Sequence, residues 1–160
     1  MDTIIATSKG GKSSRGNTCC QLFVTDKGFI YEVPMKRRGE LMIALKQFAK
    51  EIGAPDAIIT DMAKEQVSQD VKTFCNQIGT TLRALEEGTP WSNRAELYIK
   101  LMKEATRKDM KDSHCPLAFW DYCLERRVRI YNVTSRDHPK VRGSNPHTLT
   151  MGEQADISNI

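Results

Sequence analysis

The chain has 160 residues, a formal net charge of +4, and 39% hydrophobic and 28% charged residues, a composition typical of one globular domain. No apolar run is long enough to span a membrane and no secretory signal is present, so we expect an intracellular protein of the nucleus or cytoplasm. The five cysteines are odd in number and none is spaced as Cys-x-x-Cys, which indicates reduced thiols and excludes a zinc framework.

The opening segment poses the question of nucleotide binding. Residues 6–13, ATSKGGKS, match the loose form of a phosphate-binding loop. Such a loop requires a helix that opens at the Lys-Ser pair, because the helix N-terminus helps to hold the phosphates. The turn formers SSRGN and the apolar run TCCQLFVT follow instead. The segment therefore predicts a strand, a basic loop and a second strand, with no nucleotide cofactor.

Hydrophobic periodicity places the remaining elements. Asp26-Lys27-Gly28 predicts a tight turn between two strands, and glycine or proline residues end the helical patterns. The last helix opens at Pro116, and its apolar stripe comprises Leu117, Trp120, Leu124, Val128 and Tyr131. The predicted strands cover residues 2–7, 18–25, 29–35, 57–60 and 81–87, and the other helices cover about 40–51, 67–78 and 93–111.

The order βββαβαβαα predicts the fold class. Three antiparallel strands followed by parallel strands with helical connections are typical of the α/β ribonuclease H-like fold, with a mixed five-stranded sheet whose first strand is truncated here. Other mixed α/β folds share this order. The tail after Asp137 is rich in turn-forming residues, so we predict a core over 1–136 and an irregular extension over 137–160.

Three carboxylates occupy informative places on this scaffold. Asp2 lies in the first strand, Asp61 at the carboxyl end of the fourth, and Glu96 in the first turn of the long helix. Open α/β sheets bind ligands at carboxyl strand ends. Two divalent metal ions about 4 Å apart need several hard oxygen ligands from separate elements, which this set provides.

Each carboxylate also has a simpler explanation. Asp2 is the second residue and could fray, Asp61 could end a strand as a turn former, and Glu96 could complete a capping box with Asn93. The three together in this order favour a metal site.

The helix behind Glu96 carries a basic stripe. At about 100° per residue, Glu96, Lys100, Lys103 and Arg107 fall in one sector, while Tyr98, Leu101, Met102 and Ala105 fall on the other side. A phosphate backbone along this stripe would meet the carboxylates at its end. An ordinary Glu96–Lys100 pair at i,i+4 is the alternative explanation.

With these residues identified, the chain resembles the catalytic core of retroelement integrases, most closely the copia-type retrotransposon group. The matching segments are Asp2-Thr3, "GNTCCQLFVTDKGFIYEVPM", "PDAIITD", "PWSNRAE", "FWDYCLE" and the closing "MGEQADISNI".

The resemblance implies a polynucleotidyl transferase that uses two Mg²⁺ or Mn²⁺ ions to trim the 3′ ends of element DNA and join them to target DNA. Asp2, Asp61 and Glu96 would be the catalytic metal ligands. Lys100, Lys103 and Arg107 on the helix, Asn93 before it, and the loop residues Lys9, Lys12 and Arg15 would lie near DNA. A homo-oligomer without membrane association is expected.

Several features depart from the family pattern. After its second Asp the family continues with Asn-Gly, where this chain has Met62-Ala63; Ala63 would strain a turn that requires positive φ. The interval to Glu96 is one residue short, and only Met1 precedes Asp2. These departures indicate a polyprotein fragment or a decayed copy. Two hypotheses follow: an integrase core, or a catalytically dead remnant that only binds nucleic acid or protein.

Overall fold

The computed structural model describes residues 1–6, 11–61, 63–85, 94–135 and 142–158, with only the backbone of Arg94. Short 3-10 turns span Arg38–Glu40 and Leu117–Phe119. The strands are β1 (Asp2–Ile5), β2 (Cys19–Val24), β3 (Ile30–Met35), β4 (Ala57–Thr60) and β5 (Thr81–Ala84). The helices are α1 (Leu41–Glu51), α2 (Gln69–Gln77), α3 (Arg94–Asp112), α4 (Trp120–Val133) and α5 (Pro146–Met151).

The strands form two sheets within the described residues. β1, β2 and β3 are antiparallel in that order, with Asp2 opposite Leu22, whereas β4 and β5 are parallel. The backbone nitrogen of Met1 donates to the Ile59 carbonyl at 2.5 Å and joins β1 to β4. This single hydrogen bond does not make a β-ladder between β1, which has only four residues, and β4. The mixed α/β fold is confirmed, but the predicted continuous five-stranded sheet is only partly so.

The central strand β2 separates two hydrophobic clusters. Cys19 and Phe23 face the cluster formed with α1 and α2, while Cys20 and Leu22 face the cluster formed with α3 and α4. Alternate residues of a strand point to opposite faces, so β2 is buried on both. The antiparallel sheet is therefore covered by helices on each side. No helix in the described part of the chain is long and apolar enough to cross a bilayer.

The side chain of Asn132 in α4 closes part of the free edge of β3. Its amide donates to the Ile30 carbonyl at 2.7 Å, and its oxygen accepts the Ile30 N–H at 2.9 Å. Pro34 lies four positions further along β3, so its backbone faces the same edge as that of Ile30, but proline has no N–H to donate. The outer backbone groups of Ile30 are therefore already paired, and Pro34 offers no donor.

Two predictions about the C-terminal half are wrong. Leu117 is 55% exposed because it lies in the 3-10 turn before α4; Leu124 and Val128 are buried as predicted. The tail is not wholly irregular, since α5 occupies 146–151. Asn145 caps it through Thr148 N at 2.8 Å, with proline next and left-handed Gly152 at its end.

Candidate functional site

The folded chain brings Asp2 and Asp61 to neighbouring strand ends. Asp2 opens β1, Asp61 directly follows β4, and the Met1–Ile59 hydrogen bond fixes the two strands beside each other. Burial raises the pKa of Asp2, the Thr3 N–H opposes this, and the negative charges of Asp61 and Glu96 raise it further. Asp2 therefore lies close enough to Asp61 and to Glu96 to be affected by the charge of each.

The two aspartates are also held by the backbone. Oδ1 of Asp2 accepts the Thr3 N–H at 2.6 Å, and Oδ1 of Asp61 accepts the Ala63 N–H at 3.1 Å. Asp61 is thus a turn former as well as a site candidate. Among the described residues with side chains, only His114 and Arg142 have positive φ. Ala63 therefore has an ordinary φ, and the strain expected from its replacement of glycine is absent.

Glu96 is exposed in the first turn of α3. Ala95 and Ile99, which flank it on the helix, are buried and fix the helix against the sheet. The alternative in which Glu96 completes a cap with Asn93 concerns a residue outside those the structure describes.

The carboxylates do not form a closed metal cage. Within the described residues no three His, Cys, Asp or Glu side chains lie close enough together to hold a metal ion. Their chemistry nevertheless fits a hard divalent cation, because such ions prefer carboxylate oxygens and would relieve the repulsion that adds to burial in raising the pKa of Asp2. Asp2, Asp61 and Glu96 are the residues with this ligand chemistry.

A buried polar chain ties the two sheets together beside these aspartates. Thr3 donates to Gln21 Oε1 at 2.6 Å, Gln66 Nε2 donates to Thr3 Oγ1 at 3.4 Å, and the Thr60 hydroxyl donates to Gln66 Oε1. Gln21, Gln66 and Thr60 are at most 1% exposed. We call these four residues the polar bridge. The sequence analysis missed it, although a glutamine inside the apolar run CCQLFV was a usable signal.

The stripe on α3 lies beside its buried face. Lys100 and Arg107 are exposed and Lys103 is partly buried. The buried residues are Ala95, Ile99, Met102, Thr106 and Met110. Leu101, predicted on the side away from the stripe, is 43% exposed, and Leu97 is 66% exposed. The helix therefore presents both basic and apolar side chains to solvent.

The basic residues of the first hairpin differ in their surroundings. Arg15 donates to Asp121 and to Glu125, each at 2.8 Å, and stacks over the Tyr122 ring. It fastens the loop to α4, so its guanidinium is committed to protein carboxylates. Lys12 is exposed and residues 11–18 contain no helix, as the rejection of a phosphate-binding loop predicts. Lys9 and Asn93 lie outside the described residues.

Comparison with known proteins gives structural likeness only. No family model and no curated protein matches the chain. The fold is similar to a chain of the simian T-cell lymphotropic virus intasome in complex with the PP2A regulatory subunit B56 gamma, with TM-score 0.71 and 18% identity over 93% of this chain. This chain spans 55% of that one.

Two isolated cores match over more of their length. The HTLV-2 integrase catalytic core domain in complex with magnesium has TM-score 0.67 and 20% identity, covering 87% of this chain and 88% of that one. The BIV integrase catalytic core has TM-score 0.69 and 15% identity, covering 95% and 91%. At these identities the likeness establishes an integrase-core fold.

Proposed function

We propose that the chain is the catalytic core of a retrotransposon integrase, which processes the 3′ ends of element DNA and joins them to target DNA. The observation that carries the proposal is that the charges of Asp61 and Glu96 both act on Asp2, on an integrase-core fold. The likeness to a core solved with magnesium supports a divalent cation.

The three carboxylates would hold the cations, and each element of the site has a part in presenting them. β1 and β4, joined by the polar bridge, set the spacing of Asp2 and Asp61, and α3 supplies Glu96 from the side. A bound metal pair supplies activation of a water or 3′-hydroxyl and stabilisation of the departing oxygen. Lys100, Lys103 and Arg107 lead away from Glu96 and would position the phosphate backbone.

The decisive experiment is cleavage and strand joining of end-matched DNA with Mg²⁺ or Mn²⁺. We expect activity from the wild-type chain and none from Asp61→Asn. Asp56→Asn is a matched control, since Asp56 is exposed just before the same strand. Wild-type activity no greater than that of Asp61→Asn with either metal would contradict the proposal.

A catalytically dead remnant that only binds nucleic acid or protein is the second candidate. It is favoured by one observation, that no three potential ligands among the described residues lie close enough to hold a metal. This candidate predicts DNA binding that is unaffected by Asp61→Asn and by chelator, without cleavage under any metal condition.

Assembly and location follow from the same proposal. The HTLV-2 core is known in trimeric and dimeric forms, and we propose a homo-oligomer for this chain. Light scattering of the purified chain tests it, and a mass of one protomer at all concentrations would contradict it. An enzyme that acts on element and target DNA would work in the nucleus, after synthesis in the cytoplasm.

A further inference from the structure

Two of the five thiols form a pair. Cys19, Cys20 and Cys75 are buried, whereas Cys115 and Cys123 are partly exposed. The thiol of Cys123 donates to the sulfur of Cys115, and the two sulfur atoms are 3.5 Å apart. Thiols this close in partly exposed positions are accessible to a small oxidant and to each other.

The surrounding backbone holds both cysteines in place. Cys115 follows the end of α3, where its N–H donates to the Met110 carbonyl at 2.9 Å, and Cys123 lies in the first turns of α4. An ion pair between Asp109 and Arg127 fastens the same two helices together. A disulfide requires sulfur atoms about 2.05 Å apart. The two sulfur atoms, 3.5 Å apart, therefore need to approach each other by about 1.5 Å.

We propose that Cys115 and Cys123 are a redox modification site, which a peroxide converts to an intramolecular disulfide at the junction of α3 and α4. The inference does not depend on the proposed function, since neither cysteine belongs to the carboxylate site.

The two cysteines have different parts in the reaction. Burial, the contact with Cys115 and the charge of Asp109 raise the pKa of Cys123 to about 11, so this thiol keeps its proton and donates it toward Cys115. Cys115, as its thiolate, attacks one peroxide oxygen; a sulfur–oxygen bond forms, the O–O bond breaks, and hydroxide leaves and is protonated to water.

The second step closes the bridge. Cys123 releases its proton and attacks the sulfur of the Cys115 sulfenic acid; a sulfur–sulfur bond forms and hydroxide leaves, taking that proton to become water. In sum, two thiols lose two electrons and two protons, and one peroxide is reduced to two waters.

The bridge would restrain a segment that displays apolar side chains. Leu117, Phe119 and Tyr122 lie between the two cysteines and are 55%, 41% and 46% exposed. These are residues after which chymotrypsin cleaves. Closing the loop from 115 to 123 removes conformations that the segment needs to enter a protease site.

The test is oxidation of the reduced full chain with a small excess of hydrogen peroxide. We expect the titratable thiols of the unfolded protein to fall from five to three, and peptide mapping to find the cross-link between Cys115 and Cys123. Chymotryptic cleavage within 117–122 should slow several-fold and recover on reduction.

Single variants separate the roles and provide controls. Cys123→Ser should accumulate a sulfenic acid at Cys115 that a dimedone probe captures, and Cys115→Ser should form no intramolecular bridge. Cys75→Ser should behave as wild type. Five unchanged thiols, a cross-link between other cysteines, bridges between separate chains, or unchanged cleavage despite a bridge would each overturn the proposal.

Discussion

The side-chain amide of Gln66 donates a hydrogen bond to the hydroxyl of Thr3 across 3.4 Å, although Thr3 lies in β1 and Gln66 lies in the turn between β4 and α2. With Thr60 and Gln21 it forms the polar bridge behind Asp2 and Asp61. We therefore expect the spacing of the two candidate metal ligands to depend on the polar bridge.

Replacing Gln66 by leucine should loosen this spacing. The change leaves the buried hydroxyl of Thr60 without its acceptor and should lower the free energy of unfolding by about 2 kcal/mol. Mn²⁺ affinity, measured by calorimetry below the unfolding transition, should fall as well. Gln47→Leu, at an exposed position in α1, is the control. Reduced stability with unchanged Mn²⁺ affinity would show that the bridge does not set the ligand spacing.

Neutralising Asp61 should stabilise the metal-free protein. The charge of Asp61 helps to raise the pKa of Asp2, so Asp61→Asn should lower that pKa and reduce the cost of the Asp2 carboxylate at neutral pH. In chelator we expect Tm to rise by about 2 °C. Mn²⁺ should raise Tm for wild type more than for the variant. A lower Tm in chelator would contradict the repulsion.

Glu32 should make stability fall as pH rises. Burial raises its pKa from 4.5 to about 8, with Glu125 adding to the effect. Between these values the folded state binds more protons than the unfolded state, so stability present below pH 4.5 is lost progressively up to pH 8. Glu32→Gln should remove a loss of stability on the order of 5 kcal/mol, which denaturant titrations over this pH range would measure. Exposed Glu104→Gln should leave the profile unchanged.

Arg15 should contribute to stability and little to DNA affinity. Its partner Asp121 is fully buried and also accepts a hydrogen bond from Asn17 at 2.8 Å. Arg15→Met should lower the free energy of unfolding by about 2 kcal/mol, whereas Lys12→Met in the same loop should not. DNA affinity that falls for Arg15→Met at temperatures where the variant is fully folded would refute this assignment.

The same pairing predicts acid sensitivity. Hydrogen bonds from Ser13, Asn17 and Arg15 hold the pKa of Asp121 below its usual 3.8, outweighing burial, which raises it. Its stabilising effect is therefore present above the unfolded pKa and is lost as pH falls through the folded value. Asp121→Asn should unfold with less dependence on pH in the acid range, whatever its stability at pH 7.

Charge reversal on α3 should weaken DNA binding. Lys100→Glu and Lys103→Glu together should reduce affinity and lower the slope of log K against log salt by about 2, one for each lost phosphate contact. Replacing Lys108 and Lys111 by Glu is the matched control, because it changes net charge equally near the far end of the helix. Equal effects of the two double variants would exclude a specific DNA track.

Local patterns predicted the elements whose causes are local. The Asp26-Lys27-Gly28 turn was enough to predict β2 and β3, and the helical spacing of apolar residues was enough to predict α1, α3 and α4. Asp61 was predicted to follow a strand because strand ends are visible in sequence, and β4 does end at Thr60. The short helix α5 was missed because a single turn has too little periodicity, although Asn145, Pro146 and Gly152 mark its ends.

The rest depends on contacts between distant residues. Arg15 was predicted to meet DNA, yet it pairs with carboxylates more than one hundred positions away, which no local pattern reveals. The polar bridge likewise joins four separate segments. The strands form two sheets because the short β1 makes too few backbone hydrogen bonds to β4. The number of these bonds depends on tertiary packing, which the sequence does not show locally.

The two hydrogen bonds between the Asn132 side chain and the Ile30 backbone affect how copies of this protein can associate. Because a side chain already occupies the outer hydrogen-bonding groups at Ile30 and Pro34 cannot donate, an incoming strand finds no continuous ladder along β3. Strand-to-strand association of two copies through this edge is therefore disfavoured. The fold is thereby protected on this side from open-ended stacking into fibres.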